Sequence, residues 1–165
     1  MNELIAFFIL AFSSLFTLVN PVGLSPVFLS MVDHCDERER RQIAFKGVIT
    51  AVVVLIMFTF LGRLIFSFFG ITVSGFKIAG PGAITSVMIL SSEAGSWEFK
   101  LVLFIVIILV LSLTFIIFQA ADHLSQRFGT TGLRITQRIM GLILMVIAVQ
   151  FVIDGVEPVI LKWIN

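Results

Sequence analysis

The stretch "LVNPVGLSPVFLS", residues 18–30, lies in a segment with no charged side chain from Leu4 to Val32. Such a run reads as a membrane-crossing helix, which needs about 20 apolar residues to cover about 30 Å of hydrocarbon. Its middle nevertheless holds Asn20, Pro21, Gly23, Ser25 and Pro26. Proline removes a helical hydrogen bond and glycine weakens helical preference, so the span is expected to break halfway. Pro21 suits the first position of a new helix, where a missing N–H costs nothing, and Asn20 suits the cap before it.

The rest of the chain fits the same solvent. Of 165 residues, 59% are hydrophobic and 13% charged, with eighteen Phe and no Tyr. A soluble domain carries about twice that charged fraction. Charge-free runs cover Leu4–Val32, Gly47–Gly62 (continuing past Arg63 to about Phe69), Ile78–Ser92, Leu101–Ala121 and Ile139–Ile153. The third is short for a span. Charges collect between the runs, in "DHCDERERRQ" (33–42), "SSEAGSWEFK" (91–100) and "DHLSQRFGTTGLRITQR" (122–138). A net charge of +1 gives no reason to expect nucleic acid, and these basic residues orient helices instead. The single cysteine, Cys35, excludes a disulfide within the chain. The start has no basic n-region, so the first span is expected to be retained.

Shifted by 60 positions, "NPVGLSPVFLS" (20–30) falls on "GPGAITSVMIL" (80–90). Pro21 meets Pro81, Ser25 meets Thr85 and Val27 meets Val87. Downstream, "FFGITVSGFKIAG" (68–80) is similar to "RFGTTGLRITQRIMG" (127–141). Shared Pro and Phe-Gly landmarks in one order read as a duplication, against chance likeness between apolar segments. The expected fold is all-α, a polytopic transmembrane helical bundle with two related repeats and Pro/Gly-broken helices. Residues 1–80 form the first repeat with two spans, residues 81–165 the second with three, and together they make one membrane domain.

In transporters built from repeats, Gly/Pro-interrupted spans at corresponding positions mark a site near the midplane. Asn20 and Gly80 would cap helices beginning at Pro21 and Pro81. Two helix N-termini, each with about half a positive charge, would suit a carboxylate or another anionic group. The candidate substrate-binding residues are Asn20, Pro21, Gly23, Ser25, Gly80, Pro81, Gly82 and Thr85. The competing reading makes both breaks packing kinks, with the glycines permitting close approach. Hydroxyls such as those of Ser25, Thr85 and Ser86 more often bond back to their own helix than to a ligand. Asp154, with Gln150 at the end of the last run, is the candidate for a coupling ion or proton.

Other residues read as ordinary. Arg63 snorkels to the interface, and Trp97 and Trp163 fit an aromatic belt. His34 and Cys35 between Asp33 and Asp36 invite a metal, but consecutive residues do not converge on one ion. His123 beside Asp122 reads as a surface residue. No metal and no cofactor are expected.

The segments "LVNPVGLSPVFLSM", "FFGITVSGFKIAG", "AGPGAIT", "ITQRIMGLIL" and "AVQFVIDG" resemble, in order, the signature segments of the MarC family of bacterial inner-membrane proteins. The resemblance covers most of the chain. It implies a multi-pass protein of the bacterial plasma membrane with six spans, grouped with small-solute exporters. Some members are described as neutral amino-acid transporters, while activity across the family is poorly established. Here "FKIAG" runs directly into "PGAIT", where the family continues through a third span and a polar loop, as if about 40 residues were lost at a shared Ala-Gly. Five spans would divide Lys and Arg five against six, and restoring one helix would make it seven against four, with both termini outside. An internal deletion predicts an intact mass of 18.3 kDa for the purified protein. Several kDa more would mean a segment missing from the sequence.

A small-solute transporter, with the lipid bilayer and a small molecule as its partners, is the leading expectation. A homo-oligomer is compatible with the sequence. A non-transporting structural or regulatory inner-membrane protein, or an inactive truncated relative, is the alternative. An enzyme is not expected, because no nucleophile with a base, no paired intramembrane carboxylates and no ligand cluster is present.

Overall fold

The computed structural model describes residues 2–70, 76–77 and 82–164. Among them all regular structure is helical: α1 (Asn2–Val19), α2 (Pro21–Met31), α3 (Glu37–Phe69), α4 (Gly82–Glu93), α5 (Trp97–Gln119) and α6 (Ala121–Ile164). Among the described residues four stretches are long and apolar enough to cross a membrane: Asn2–Met31, Glu37–Gly62, Trp97–Gln119 and Arg134–Pro158. The expected all-α membrane bundle is what forms.

Helix starts follow local chemistry. Asp36 and Glu39 make a reciprocal capping box at the head of α3, because the Glu39 N–H donates to Asp36 Oδ1 at 2.7 Å and the Asp36 N–H to Glu39 Oε2 at 3.2 Å. Glu37 and Glu39 in that first turn also complement the helix dipole. α6 bends at Gly129, whose φ of 65° suits glycine.

α5 is the centre of the bundle, packed on α1, α2, α3 and α4. Its buried residues Leu103, Val106, Ile107, Val110, Leu111 and Thr114 recur at the three- and four-residue spacing of one helical face. They meet Ala11 and Leu15 of α1, Leu55 of α3, and Val87 and Leu90 of α4. Lipid tails are as apolar as these side chains, so close packing and interhelical hydrogen bonds hold such helices together. One such bond joins α4 to α3, where the buried Ser91 hydroxyl donates to the Thr59 carbonyl at 2.7 Å. Close approach of the same two helices depends on Gly62, where a Cβ would stand 2.8 Å from Met88 Cε.

Aromatic pairs define the two ends of the bundle. Phe28 stacks on Phe118 at 4.5 Å and Phe45 meets Phe115 at 6.1 Å, so the end of α2, the start of α3 and the end of α5 share one face. Phe7 meets Phe99 at 5.1 Å, which puts the starts of α1 and α5 together on the other. The first is called the loop face here, the second the terminal face.

α4 differs from what its apolar run promised. Its 12 residues extend about 18 Å, too short to cross about 30 Å of hydrocarbon. With four crossings and α4 as a half-span, α5 begins on the face where α3 ends. The loop face then holds Arg38, Arg40, Arg41, Lys46, Arg127, Arg134 and Arg138, while Arg63, Lys77, Lys100 and Lys162 follow or precede crossings on the terminal side, Lys77 the deepest of them beside Leu18 and Gly82. The seven-to-four asymmetry therefore arises without a restored helix. Counting Ile78–Ser92 as a full crossing was what had concealed it.

Candidate functional site

The break in the first span is built as its residues require. Asn20 adopts the left-handed conformation, with φ 49° and ψ 58°, and is the one non-glycine residue with positive φ among those described. Asparagine tolerates this region better than most residues. Its N–H donates to the Phe16 carbonyl at 2.9 Å and closes α1. Its side-chain Oδ1 accepts the Gly23 N–H at 3.1 Å and opens α2. One residue thus ends one helix and caps the next.

Gly23 is dictated by that cap, because a Cβ there would lie 2.6 Å from Asn20 Oδ1 and 2.7 Å from Cγ. Three residues on, Pro26 has no N–H to offer the Val22 carbonyl four positions back. The Ser25 hydroxyl donates to that carbonyl instead, at 2.8 Å, from a site only 1% exposed. Ser25→Ala should therefore lower stability by about 1–3 kcal/mol, the cost of a buried polar group left unpaired. Thermal unfolding in detergent reads this directly, with Ser30→Ala as the exposed control.

Of the second break, Gly80 and Pro81 lie outside the described residues, and so does the expected cap at Gly80. Gly82 opens α4 against the end of α1, where a Cβ would stand 2.9 Å from Leu18 Cδ2. Leu18 is two residues before Asn20, so the two breaks are neighbours. Thr85 and Ser86, one turn further along α4, are buried.

Between the breaks and α6 lies a cavity of about 290 Å³, lined by Leu18, Lys77, Gly82, Leu144, Ile147, Ala148, Phe151 and Val152. A second, of about 280 Å³, shares Leu18, Ile147 and Phe151 with it and adds the hydroxyls of Ser13, Ser14, Thr17 and Ser86. Lys77 Nζ stands 3.7 Å from Asp154 Oδ2. Gln150 Nε2 donates to Asp154 Oδ1 at 2.6 Å. Asp154 and Gln150 therefore come together as a pair beside the cavity. Asn20, Pro21, Gly23, Ser25 and Thr85 shape its surroundings without lining it.

Lys77 is the residue that sequence reasoning passed over, treating it only as a charge to be counted. Its signal was present: a lone cation inside "GITVSGFKIAG", three residues before the Gly-Pro break. Ionisable residues at membrane depth are costly and usually mark function. The arrangement sets a cation and the amino end of a half-helix toward one cavity and a carboxylate at its side. The loop residues do not form such a cluster. His34 Nδ1 lies 3.1 Å from Asp33 Oδ1 on the exposed surface, and among the described residues no group of three or more His, Cys, Asp or Glu gathers around a metal position.

Residues 5–80 and 77–160 match the MarC family, described as integral membrane proteins. The chain belongs to the MarC family. The two matched stretches overlap at residues 77–80, where "FKIAG" meets "PGAIT". MarC-type relatives extend through archaea and bacteria. The chain is 32% identical to a UPF0056 membrane protein of Methanocaldococcus jannaschii over 201 aligned positions, covering 94% of this chain and 98% of the relative. It is 28% identical to a UPF0056 membrane protein of Aquifex aeolicus over 204 positions, covering 95% of each. To the UPF0056 membrane protein YvbG of Bacillus subtilis it is 28% identical over 206 positions, covering 94% and 98%. With 165 residues here, the first of these alignments holds at least 36 positions that only the relative fills. No solved structure matches the chain.

Proposed function

We propose that this MarC-family chain moves a small solute, of the neutral amino-acid class, across the bacterial plasma membrane. The observation that carries the reading is the cavity between the end of α1, the start of α4 and the middle of α6, with Lys77 on its wall and Asp154 beside it. A zwitterion has a carboxylate for Lys77 and the α4 N-terminus, and an ammonium for Asp154. Asn20 and Pro21 hold the first half-helix in place, and Gly23 leaves room for the cap. Asp154 with Gln150 would carry a coupling proton or cation. The excess of Lys and Arg on the loop face supports a cytoplasmic position for residues 33–46 and 122–138, with both termini outside.

Proteoliposome uptake of labelled neutral amino acids tests this, with Pro21→Ala and Pro81→Ala beside the wild type. Alanine restores an N–H and favours a continuous helix across each break. Both variants should insert normally and lose saturable uptake. Unchanged uptake in both would remove the breaks from the mechanism.

A second reading is favoured by one observation, the 36 or more aligned positions that the relative has and this chain lacks. On it the chain is a structural or regulatory membrane protein, or an inactive shortened relative. It predicts no saturable flux from well-inserted protein.

A further inference from the structure

The smaller cavity, of about 280 Å³, shares Leu18, Ile147 and Phe151 with the one assigned to the solute, so the two are neighbouring chambers. They differ in chemistry. The first has Lys77 on its wall, whereas the second has no charged lining residue but four hydroxyls, those of Ser13, Ser14, Thr17 and Ser86. Ser14, Thr17 and Leu18 recur at the three- and four-residue spacing of one face of α1, and Ser86 comes from α4. Hydroxyls on helices usually bond back to their own carbonyls. Ser13 does so to Leu10 at 3.1 Å, and Thr17 to Ser13 at 2.7 Å. Ser14 and Ser86 make no hydrogen bond with any described residue. Ser86 is only 7% exposed. Among the described residues no fully enclosed side-chain oxygen lacks a partner, so the Ser86 hydroxyl opens onto the chamber.

A buried hydroxyl without a partner is costly in so apolar a setting, and a ligand that supplies the partner recovers the cost. The hydrogen-bond inventory says what that ligand carries. Ser13 and Thr17 have given their hydrogens to carbonyls and offer only lone pairs, while Ser14 and Ser86 offer both a hydrogen and lone pairs. The chamber therefore has acceptors in excess and two free donors. A carboxamide matches it, with its NH2 for the acceptors and its C=O for a serine hydroxyl. A single hydroxyl has one hydrogen to offer four oxygens. A charged side chain would enter with no counter-charge on the wall, and an aliphatic one would leave both serines unpaired. We propose that this chamber reads the side chain of the solute, which is a neutral amino acid bearing a carboxamide. The inference rests on the transport reading, which puts the α-carboxylate and ammonium of that solute in the first chamber.

Uptake into liposomes holding the full chain tests this by comparing asparagine with leucine, whose side chain has nearly the same shape. Asparagine should half-saturate uptake at a concentration about tenfold lower, the factor that about 1.4 kcal/mol makes. Ser86→Ala should weaken that preference, and Ser14→Ala with Ser86→Ala should erase it. Because neither hydroxyl has a partner in the protein to lose, both variants should melt at the wild-type temperature, unlike Ser25→Ala. A lower melting temperature for Ser86→Ala would reveal an internal partner and overturn the proposal. Saturable uptake that does not distinguish asparagine from leucine, or a preference that survives the double variant, would overturn it too and leave transport standing. No saturable uptake of any neutral amino acid by well-inserted protein would remove the transport reading, and the proposal with it.

Discussion

Gly23→Ala should unmake the break at Asn20. The added methyl would occupy the space of the Asn20 amide, which lies 2.6 and 2.7 Å from its position at Oδ1 and Cγ. The amide must then rotate away and release the Gly23 N–H that it accepts at 3.1 Å. Loss of a side-chain cap costs about 1 kcal/mol and overpacking a tight site about 1–3 kcal/mol. A combined loss of about 2 kcal/mol lowers the melting temperature in detergent by about 4–8 °C, taking the scaling of soluble domains of similar size. Gly47 provides the control, since nothing lies within 4 Å of a Cβ there and alanine improves helical preference. Gly47→Ala should leave stability unchanged or raise it by about 0.5–1 kcal/mol. Equal melting temperatures for the two variants would mean that the Asn20 cap does not hold the break.

Lys77→Gln should have the largest effect on transport. The change removes the cation from the cavity wall and takes from Asp154 the partner that stands 3.7 Å away, while the Gln150 amide still donates to its Oδ1. A charge-assisted hydrogen bond to the solute carboxylate contributes about 1.5–3 kcal/mol, so a fall in saturable uptake of about tenfold or more is expected. The melting temperature should change far less, because Lys77 is held by one partly exposed ion pair outside the main core. A proportionate loss of stability and uptake would reduce Lys77 to a structural residue.

Where the chain announced its structure, local chemistry was sufficient. Asn-Pro in the middle of an uncharged run told of a cap and a fresh helix start, and the backbone hydrogen bonds of Asn20 realise both. Ser25 bonding back to Val22 followed from the habit of hydroxyls beside a proline. Longer-range relations were harder to read. That α4 stops short of crossing depends on where its first turn begins, and an apolar run of fifteen residues does not fix that point. The pairing of Lys77 with Asp154 joins residues 77 positions apart, and no periodicity encodes such a contact. Arg40 and Asp122 are likewise brought together by the fold alone. Asn20 reads as a cap in the sequence and its Oδ1 accepts the Gly23 N–H, while Leu18, two residues earlier, reaches the cavity, a placement that no local signal announces.

The central claim is that the cavity between α1, α4 and α6 passes a zwitterion. The most direct measurement is counterflow in liposomes holding the wild-type chain, loaded with an unlabelled neutral amino acid and given the labelled one outside. Saturable exchange is expected, and the corresponding amino-acid amide, which has no carboxylate for Lys77 and the α4 N-terminus, should neither undergo nor inhibit it. Well-inserted protein that gives no saturable exchange, or exchanges the amide equally well, would contradict it.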